Sequence, residues 1–313
     1  MNFQTLSQST PSVNYLSEVS HDTSPVAMAL PSLSVIQVSG EEADSFLQNL
    51  LTNDIRTLTN NTAQLSGFCN PKGRLLSLFY VVQREKDFLL ITATDLADSI
   101  AQRLTMFKLR SKVDISVSAE LNTMGYISEA PLKDQASTFW SASEHDGQLS
   151  IYLPGNLHRY LVITPVDKSI IENSRIGSEN LWQSADITSG LPKVSLLTKE
   201  QFTPQQLNLD VIGGVSFKKG CYPGQEVVAR LHYLGKPSRR LFLAEITTSH
   251  LPEPNTEVID EAGDVAGHVV QAAMNQADNG LCHLSIKLSA QAKSLYIGQD
   301  KISTLTALVD DAE

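Results

Sequence analysis

The chain has 313 residues, 42% of them apolar and 19% charged, with a formal net charge of −10. That length predicts two or three domains with substantial cores, and no run of about 18 apolar residues marks a membrane span. The negative balance argues against general electrostatic binding to nucleic acid or to an anionic membrane, while leaving room for a local basic site. Cys69, Cys221 and Cys282 are far apart and form no CxxC pair, which argues against a disulfide framework or a four-thiolate metal site. Reduced thiols in a cytoplasmic protein are expected.

Residues 1–26 read as a loosely tied N-terminal arm, rich in Ser, Thr and Asn, with room for part of it to pair with a later sheet. The first 25 contain no Lys or Arg, so they resemble neither a secretory signal nor a mitochondrial presequence. A strand is predicted over 34–38. Ser39 followed by Glu42 fits a capping box opening a helix over about 41–51, with Ala43, Phe46, Leu47, Leu50 and Leu51 as its apolar stripe. Two apolar runs, 64–69 and 74–82, flank Asn70-Pro71-Lys72-Gly73 and predict a hairpin. A strand over 88–92 and a helix with Leu96, Ile100, Leu104 and Phe107 at helical spacing follow, then a strand over 113–117. Short strands are predicted at 124–127, 148–153 and 160–163, with a helix over 168–175 or beyond. A further helix over 182–189 is stopped by Gly190-Leu191-Pro192. Residues 193–208 read as a long connection, of the kind that often carries function. Past Lys236-Pro237, short runs near 240–247, 257–258, 265–271, 281–286 and 294–297 are punctuated by glycines, predicting a small β-barrel.

The chemistry concentrates at Phe217–Glu226, FKKGCYPGQE. From Lys218 to Arg240 there are six Lys or Arg and one acid, a basic island on an acidic chain. Tyr222-Pro223-Gly224-Gln225 has Pro and Gly where a type II turn needs them, because Pro presets φ and Gly tolerates positive φ. A short helix is expected to open at Gln225. Cys221, beside two lysines, reads either as a reactive thiolate or as a small residue fitted to a tight loop. Lys218 and Lys219 read as anion ligands or as a solvated pair. Gln225 and Glu226 match a heterocycle edge, or serve local amides. Arg230, Arg239, Arg240 and His232 read as structural more readily than as ligands. Asn53-Asp54 reads as a helix stop or as part of a cleft, and Lys72 is a weak anion candidate. The chain has no HExxH, GxGxxG, GxxxxGK[ST] or GxSxG pattern.

FKKGCYPGQEVVAR, with LNLDVIGGVS upstream, resembles the signature of the YgfZ-type folate-binding proteins, relatives of the glycine-cleavage T-protein (aminomethyltransferase) implicated in iron–sulfur cluster assembly or repair. VSGEEADSFLQNLLTNDIRTL, SGFCNPKGRLLSLFYVV and GDVAGHVVQAA are similar to that family's N-terminal helix and TND turn, its hairpin and its barrel repeat, so the resemblance covers most of the chain. It implies an α+β fold: a three-domain T-protein-like ring of two ferredoxin-like meanders with helices on one face, plus a small C-terminal β-barrel. The expected domains are the arm (1–26), a folate-binding domain (27–118 plus about 181–236), a second α+β domain (119–180) and the barrel (237–313). The resemblance further implies a central cavity and tetrahydrofolate or a one-carbon derivative as ligand. It implies a role for Lys219 and Cys221, and for Lys218, Tyr222, Gln225, Glu226, Asn53, Asp54 and Arg230 as ligand-binding residues. Iron–sulfur proteins or cluster-assembly factors are the expected partners, with an indirect effect on tRNA methylthiolation. No bound metal, no direct nucleic-acid contact, no membrane contact and a monomeric state are expected. The T-protein's catalytic hairpin carboxylate is replaced by about Ser77 and Leu78, and a folate-contacting Glu by Thr188. Loss of that carboxylate argues against aminomethyl transfer, the alternative reading.

Overall fold

A computed structural model describes residues 24–132, 138–167, 174–276 and 278–309. Residues 1–23 of the expected arm and 168–173 of the expected helix lie outside that set. The strands, in chain order, are β1 (Val26–Ala29), β2 (Leu33–Ser39), β3 (Ala63–Cys69), β4 (Leu75–Arg84), β5 (Asp87–Ala93), β6 (Asp114–Val117), β7 (Leu121–Ser128), β8 (Ala142–His145), β9 (Gln148–Leu153), β10 (His158–Pro165), β11 (Arg175–Ile176), β12 (Arg239–Thr247), β13 (Glu257–Asp260), β14 (Val265–Gln276), β15 (Asn279–Lys287), β16 (Leu295–Ile297) and β17 (Asp300–Ala307). The α-helices are α1 (Ala43–Gln48), α2 (Thr94–Lys108), α3 (Glu179–Thr188) and α4 (Gln225–Tyr233).

These elements make two sheets and a barrel. The first sheet runs β3-β4-β5-β2-β6, the second β11-β1-β7-β10-β9-β8, and β12-β15-β14-β13-β16-β17 close on themselves. β4 is buried from Leu75 to Val82, so its apolar run serves both faces of the first sheet. Leu96, Ile100 and Leu104 of α2 pack into the main core, while Phe107 stays partly exposed with its edge on Phe68. In the barrel, Phe242, Ala244 and Ile246 of β12 point inward and Leu241 and Leu243 join the main core. The period-two alternation of a strand thus serves two cores at once.

Four local expectations need correction. The Ser39/Glu42 capping box does not form, because the Glu42 carboxylate accepts from Lys112 N at 2.7 Å and α1 starts without a side-chain cap. The helix is correspondingly shorter than the apolar stripe. The expected helix end at Arg175 is a two-residue strand, parallel to β1. The 193–208 connection contains a 3₁₀ turn at Pro204–Leu207 with its own capping box, Thr203 with Gln206. The predicted barrel runs stop at 297, and β17 adds a strand beyond them.

α3 joins the parts. Trp182 lies against Gly125 of β7, where any added Cβ would meet the indole at 2.4 Å. Its other side holds the barrel: Asn180 exchanges two hydrogen bonds with the Met274 backbone, at 2.7 and 2.9 Å. His283 of β15 donates from Nε2 to Ile187 O at 2.7 Å and accepts at Nδ1 from Gln271 Nε2 at 3.0 Å. That pairing fixes a neutral tautomer, and burial lowers the imidazole pKa to about 3. The folded value lies below the unfolded value of about 6.5, so the unfolded chain takes the proton first. Stability is therefore fully present above about pH 6.5 and lost as the pH falls toward 3, by about 1.4 kcal/mol per pH unit. Denaturant unfolding between pH 6 and pH 4 is expected to show this slope in the wild type and to lose about one proton's worth of it in His283→Gln.

Candidate functional site

The motif turn forms as its residues dictate. Gly224 sits at φ +82°, ψ 3°, and Gln225 N donates to Tyr222 O at 3.1 Å, which is the type II geometry. The turn then seats on a second turn. A Cβ on Gly224 would lie 2.5 Å from Asn70 O and 2.7 Å from Gly73 Cα, and Gly73 itself has φ +69°. FKKGCYPGQE and the NPKG hairpin turn therefore interlock backbone to backbone, through two glycines that must lack side chains.

Lys219 is the pin beneath. It is 7% exposed, and its Nζ donates to the carbonyls of Gln48, Leu51 and Asn53. All three ammonium protons are spent on backbone at the C-terminal end of α1, where a cation is favoured. Burial pulls its pKa down to about 8, with Asp54 pulling the other way. The Tyr222 ring lies 5.4 Å from the same Nζ, and burial raises its phenol pKa. Cys69 is close by, buried, its thiol pushed up to about 12.

The TND turn is equally occupied. Thr52 Oγ1 donates to Gly214 O and accepts from Gly67 N, both at 2.7 Å. Asn53 Nδ2 bridges Leu65 O at 2.9 Å and Gly213 O at 2.7 Å. Asp54 caps the short 3₁₀ turn by accepting from Arg56 N. Of the nine sequence-predicted residues, Lys219, Tyr222, Asn53 and Asp54 are brought together around the end of α1. Gln225 is half-buried, and Lys218, Cys221, Glu226 and Arg230 are exposed on the outer side. Arg240 pairs with Asp210 at 2.7 and 3.0 Å, so the basic island presents fewer free cations than the sequence counts.

Two cavities lie elsewhere, and none of the nine residues lines either of them. A small cavity sits between the first sheet and α3, walled by Leu65, Leu78, Tyr80, Asp186, Lys193 and Val194, with a free interior of about 20 Å³. That is room for about one water. Burial raises the Asp186 carboxyl, while the Arg159 guanidinium at 2.9 Å pulls it back. Arg159 is 1% exposed, stacks over Trp182 at 4.9 Å, and leaves Nε and Nη1 without a protein partner. Burial lowers Lys193, whose Nζ donates to Ser32 Oγ at 2.8 Å. Leu65 also walls an open groove of about 350 Å³, lined by Thr62, Gln64, Trp140, Ile212 and Gly213. The Tyr80 ring of the inner cavity lies 6.2 Å from the Trp140 ring of the groove. Asn53, bonded to Leu65 and Gly213, ties the groove wall to the Lys219 pin.

Sequence reasoning missed Asp186, Arg159, Lys193, Tyr80, Gln64 and Trp140. They belong to no shared motif, and Arg159 and Asp186, 27 residues apart, meet only through the tertiary fold. Ser77 Oγ is bonded to Thr92 Oγ1 at 2.6 Å, and Thr188 Oγ1 to its own helix carbonyls, so neither carries chemistry into the cavity. No group of three His, Cys, Asp or Glu suited to a metal ion occurs among the described residues. No helix among them is long and apolar enough to cross a membrane.

No protein-family model matches the chain. Among solved structures, it is similar to the glycine cleavage system aminomethyltransferase T of Bartonella henselae, with a TM-score of 0.72 at 14% identity, covering 94% of this chain and 86% of that one. That likeness shows the fold, mixed α+β with a closed six-stranded C-terminal barrel. Among curated proteins, the tRNA-modifying protein YgfZ of Enterobacter sp. is 29% identical, covering 90% of this chain and 94% of that protein. The tRNA-modifying protein YgfZ of Colwellia psychrerythraea is 30% identical, covering 89% of this chain and 93% of that protein. With the motif turn, the T-protein fold and a relative matched along nearly its whole length, the chain belongs to the YgfZ family.

Proposed function

We propose that this protein binds tetrahydrofolate or a one-carbon derivative and acts as an accessory factor in tRNA modification, through iron–sulfur proteins or their assembly factors, without transferring an aminomethyl group itself. The carrying observation is the pairing of a small inner cavity that carries Asp186 and Lys193 with an adjoining groove of about 350 Å³, a size usual for small-ligand sites. The donor set suits a folate. Asp186 and Tyr80 offer polar groups to a ring edge from otherwise apolar walls, and the buried Gln64 Nε2 has no protein partner. The groove matches the ligand in size, whereas the inner cavity admits about one water, so the ring system belongs in the groove with the polar residues at its inner end. Bound folate supplies a one-carbon carrier.

The residues around the cavity hold and orient rather than transfer protons. No carboxylate projects from the hairpin, and Asp186 is held in an ion pair with Arg159. A free base able to assist an amine is the part a transferase needs. On this reading Lys219, Asn53 and Asp54 are the frame. Exposed Cys221, with Lys218, Glu226 and Arg230, is the outward face of the turn and the place where a partner would meet the thiol. Titration calorimetry with 5-formyltetrahydrofolate is expected to give saturable heat below about 1 mM ligand. No heat at that concentration overturns the reading. Methylene transfer from an aminomethyl donor at saturating folate would instead favour the transferase.

A further inference from the structure

Among the described residues ten large apolar side chains are exposed, and six of them stand at two helices. Met106, Phe107 and Leu109 lie at the end of α2, and Val227, Tyr233 and Leu234 on and just past α4. The same two stretches gather the positive charge. Residues 103–112 carry four Lys or Arg and no acid, and with 218–240 they hold ten of the chain's 24 Lys and Arg and one of its 34 Asp and Glu. Some of these cations are spent within the chain: Lys108 on Asp114, Lys112 on Glu41, Arg240 on Asp210 and Lys219 on its carbonyls. Arg110, Lys218, Arg230 and Lys236 are exposed. Exposed apolar groups gathered in this way mark contact surfaces.

The end of α2 is built to present its apolar side chains. Leu109 is 89% exposed and sits at φ +46°, ψ −103°, where a leucine is an outlier. The turn that imposes this is clamped by the residues that open α1. Ser111 N donates to Lys108 O at 2.7 Å, Lys112 N donates to the Glu42 carboxylate at 2.7 Å, and a Cβ on Gly40 would collide with Lys112 O. Such strain persists only where the surroundings over-determine it, and it clusters at functional sites. Packing does not explain it here, because the side chain faces water. α4 is fixed from its other end: Phe217 and His232 stack at 3.6 Å and 8°, which leaves Tyr233 and Leu234 outermost. Both helix ends rest on one frame. The Phe107 ring meets Phe68 edge-on at 6.1 Å, Phe68 bridges Leu51, and Leu51 O accepts from Lys219 under the motif turn. Val227 lies against Gly73 of the interlocked hairpin turn, and Cys221 is exposed on the motif itself.

We infer that the ends of α2 and α4 form one docking surface, on the frame that presents Cys221, for an acidic segment of a partner protein that carries its own leucines. The occupant follows from charge and side-chain type. Cations set around exposed aliphatic and aromatic groups fit carboxylates set around apolar anchors. RNA is met by phosphate contacts and stacking rings, and Leu109, Leu234 and Met106 offer neither. A bilayer needs one long apolar helix face, whereas α2 spends Leu96, Ile100 and Leu104 on the core. The inference rests on the accessory reading and deepens it, giving the partner's chemistry at the place where it would meet the thiol.

The test is fluorescence anisotropy with a labelled helical peptide of about five turns, leucines along one face and Glu elsewhere. A counterpart with Gln in place of Glu, phosphatidylglycerol vesicles and a polyuridine oligonucleotide are the comparison probes. Wild type is expected to bind the acidic peptide with a Kd below about 100 μM at low salt, about tenfold tighter than the Gln peptide. That preference should vanish in about 0.5 M salt. Leu109→Gly and Leu234→Ser are each expected to weaken binding about fivefold, and Arg110→Glu and Lys236→Glu about threefold. Ile176→Ser removes an exposed apolar side chain elsewhere and is expected to change nothing. Leu109→Gly separates binding from stability, because glycine accepts the positive φ. Its melting temperature should hold or rise while affinity falls. Equal binding of the two peptides, no binding of the acidic one, or tighter binding to the vesicles or the oligonucleotide overturns the inference. An effect at one helix end alone overturns the single surface. Calorimetry with 5-formyltetrahydrofolate on the same proteins keeps the two readings apart. Folate heat with no peptide binding overturns the docking surface alone, and peptide binding with no folate heat overturns the folate reading alone.

Discussion

Replacing Arg159 by methionine is expected to destabilise the protein by about 3 kcal/mol at pH 7. The guanidinium is 1% exposed and bonded to Asp186, itself half-buried at the cavity wall. Removing one partner of a buried pair leaves an uncompensated charge and costs about 3–5 kcal/mol. The lower end applies, because Arg159 already leaves Nε and Nη1 without protein partners and methionine relieves that cost. The loss is pH-dependent. Burial already raises Asp186, and without Arg159 its folded pKa rises further above the unfolded value near 3.9. Between those two values the folded chain holds a proton that the unfolded chain lacks, so the variant regains stability as the pH falls through the folded pKa. Denaturant unfolding at pH 7 and pH 5 reads this directly. The double variant Arg159→Met with Asp186→Asn is expected to recover more than half of the loss at pH 7. Additive losses in the double variant would show that the two residues act separately.

Gly224→Ala is expected to cost about 2–4 kcal/mol. Two effects add. At φ +82° an alanine pays the left-handed penalty of about 1 kcal/mol. Its Cβ would also lie 2.5 Å from Asn70 O and 2.7 Å from Gly73 N, and both are backbone atoms held by the hairpin turn. Gly213→Ala isolates the first effect, since φ is +80° there and nothing lies within 4 Å. That variant is expected to lose only about 1 kcal/mol. Gly73→Ala should fall between, because its nearest neighbour is Val227 Cβ at 3.0 Å, a looser contact than the 2.5 Å at Gly224. Thermal or denaturant unfolding of the three variants gives the ranking, and equal losses at Gly224 and Gly213 would mean the two turns do not interlock.

Much of the fold was legible because its signals are local. The type II turn follows from Pro223 and Gly224 alone. The β3–β4 hairpin follows from two apolar runs around Asn70-Pro71-Lys72-Gly73, and α2 from the spacing of Leu96, Ile100 and Leu104. The end of α3 follows from Gly190, whose φ is +69°. Where the sequence misled, a distant group had taken the local partner. Glu42 fits a capping box on paper, yet Lys112 N, 70 residues away, takes its carboxylate. β1, β8 and β17 are four to eight residues long, and their places depend on neighbours far along the chain. Lys219 shows the same limit in the site. Its charge and position read as an anion ligand or half of a solvated pair, and in the structure its Nζ is buried against three carbonyls.

The sequence by itself determined the motif turn, the barrel and the family, because glycine and proline positions, strand alternation and a contiguous ten-residue signature are readable without knowing what they touch. Only the tertiary structure decided where the cavities lie and which side chains reach them. Asp186 comes from α3, Arg159 from β10, Tyr80 from β4 and Lys193 from the segment after Pro192, so no spacing rule relates them. Their burial, the ion pair and the shifted carboxyl arise only when α3 is pressed between the two sheets and the barrel. The motif that organises the sequence touches the groove wall through Lys219 and Asn53, and the residues lining the two cavities come from elements that carry no motif.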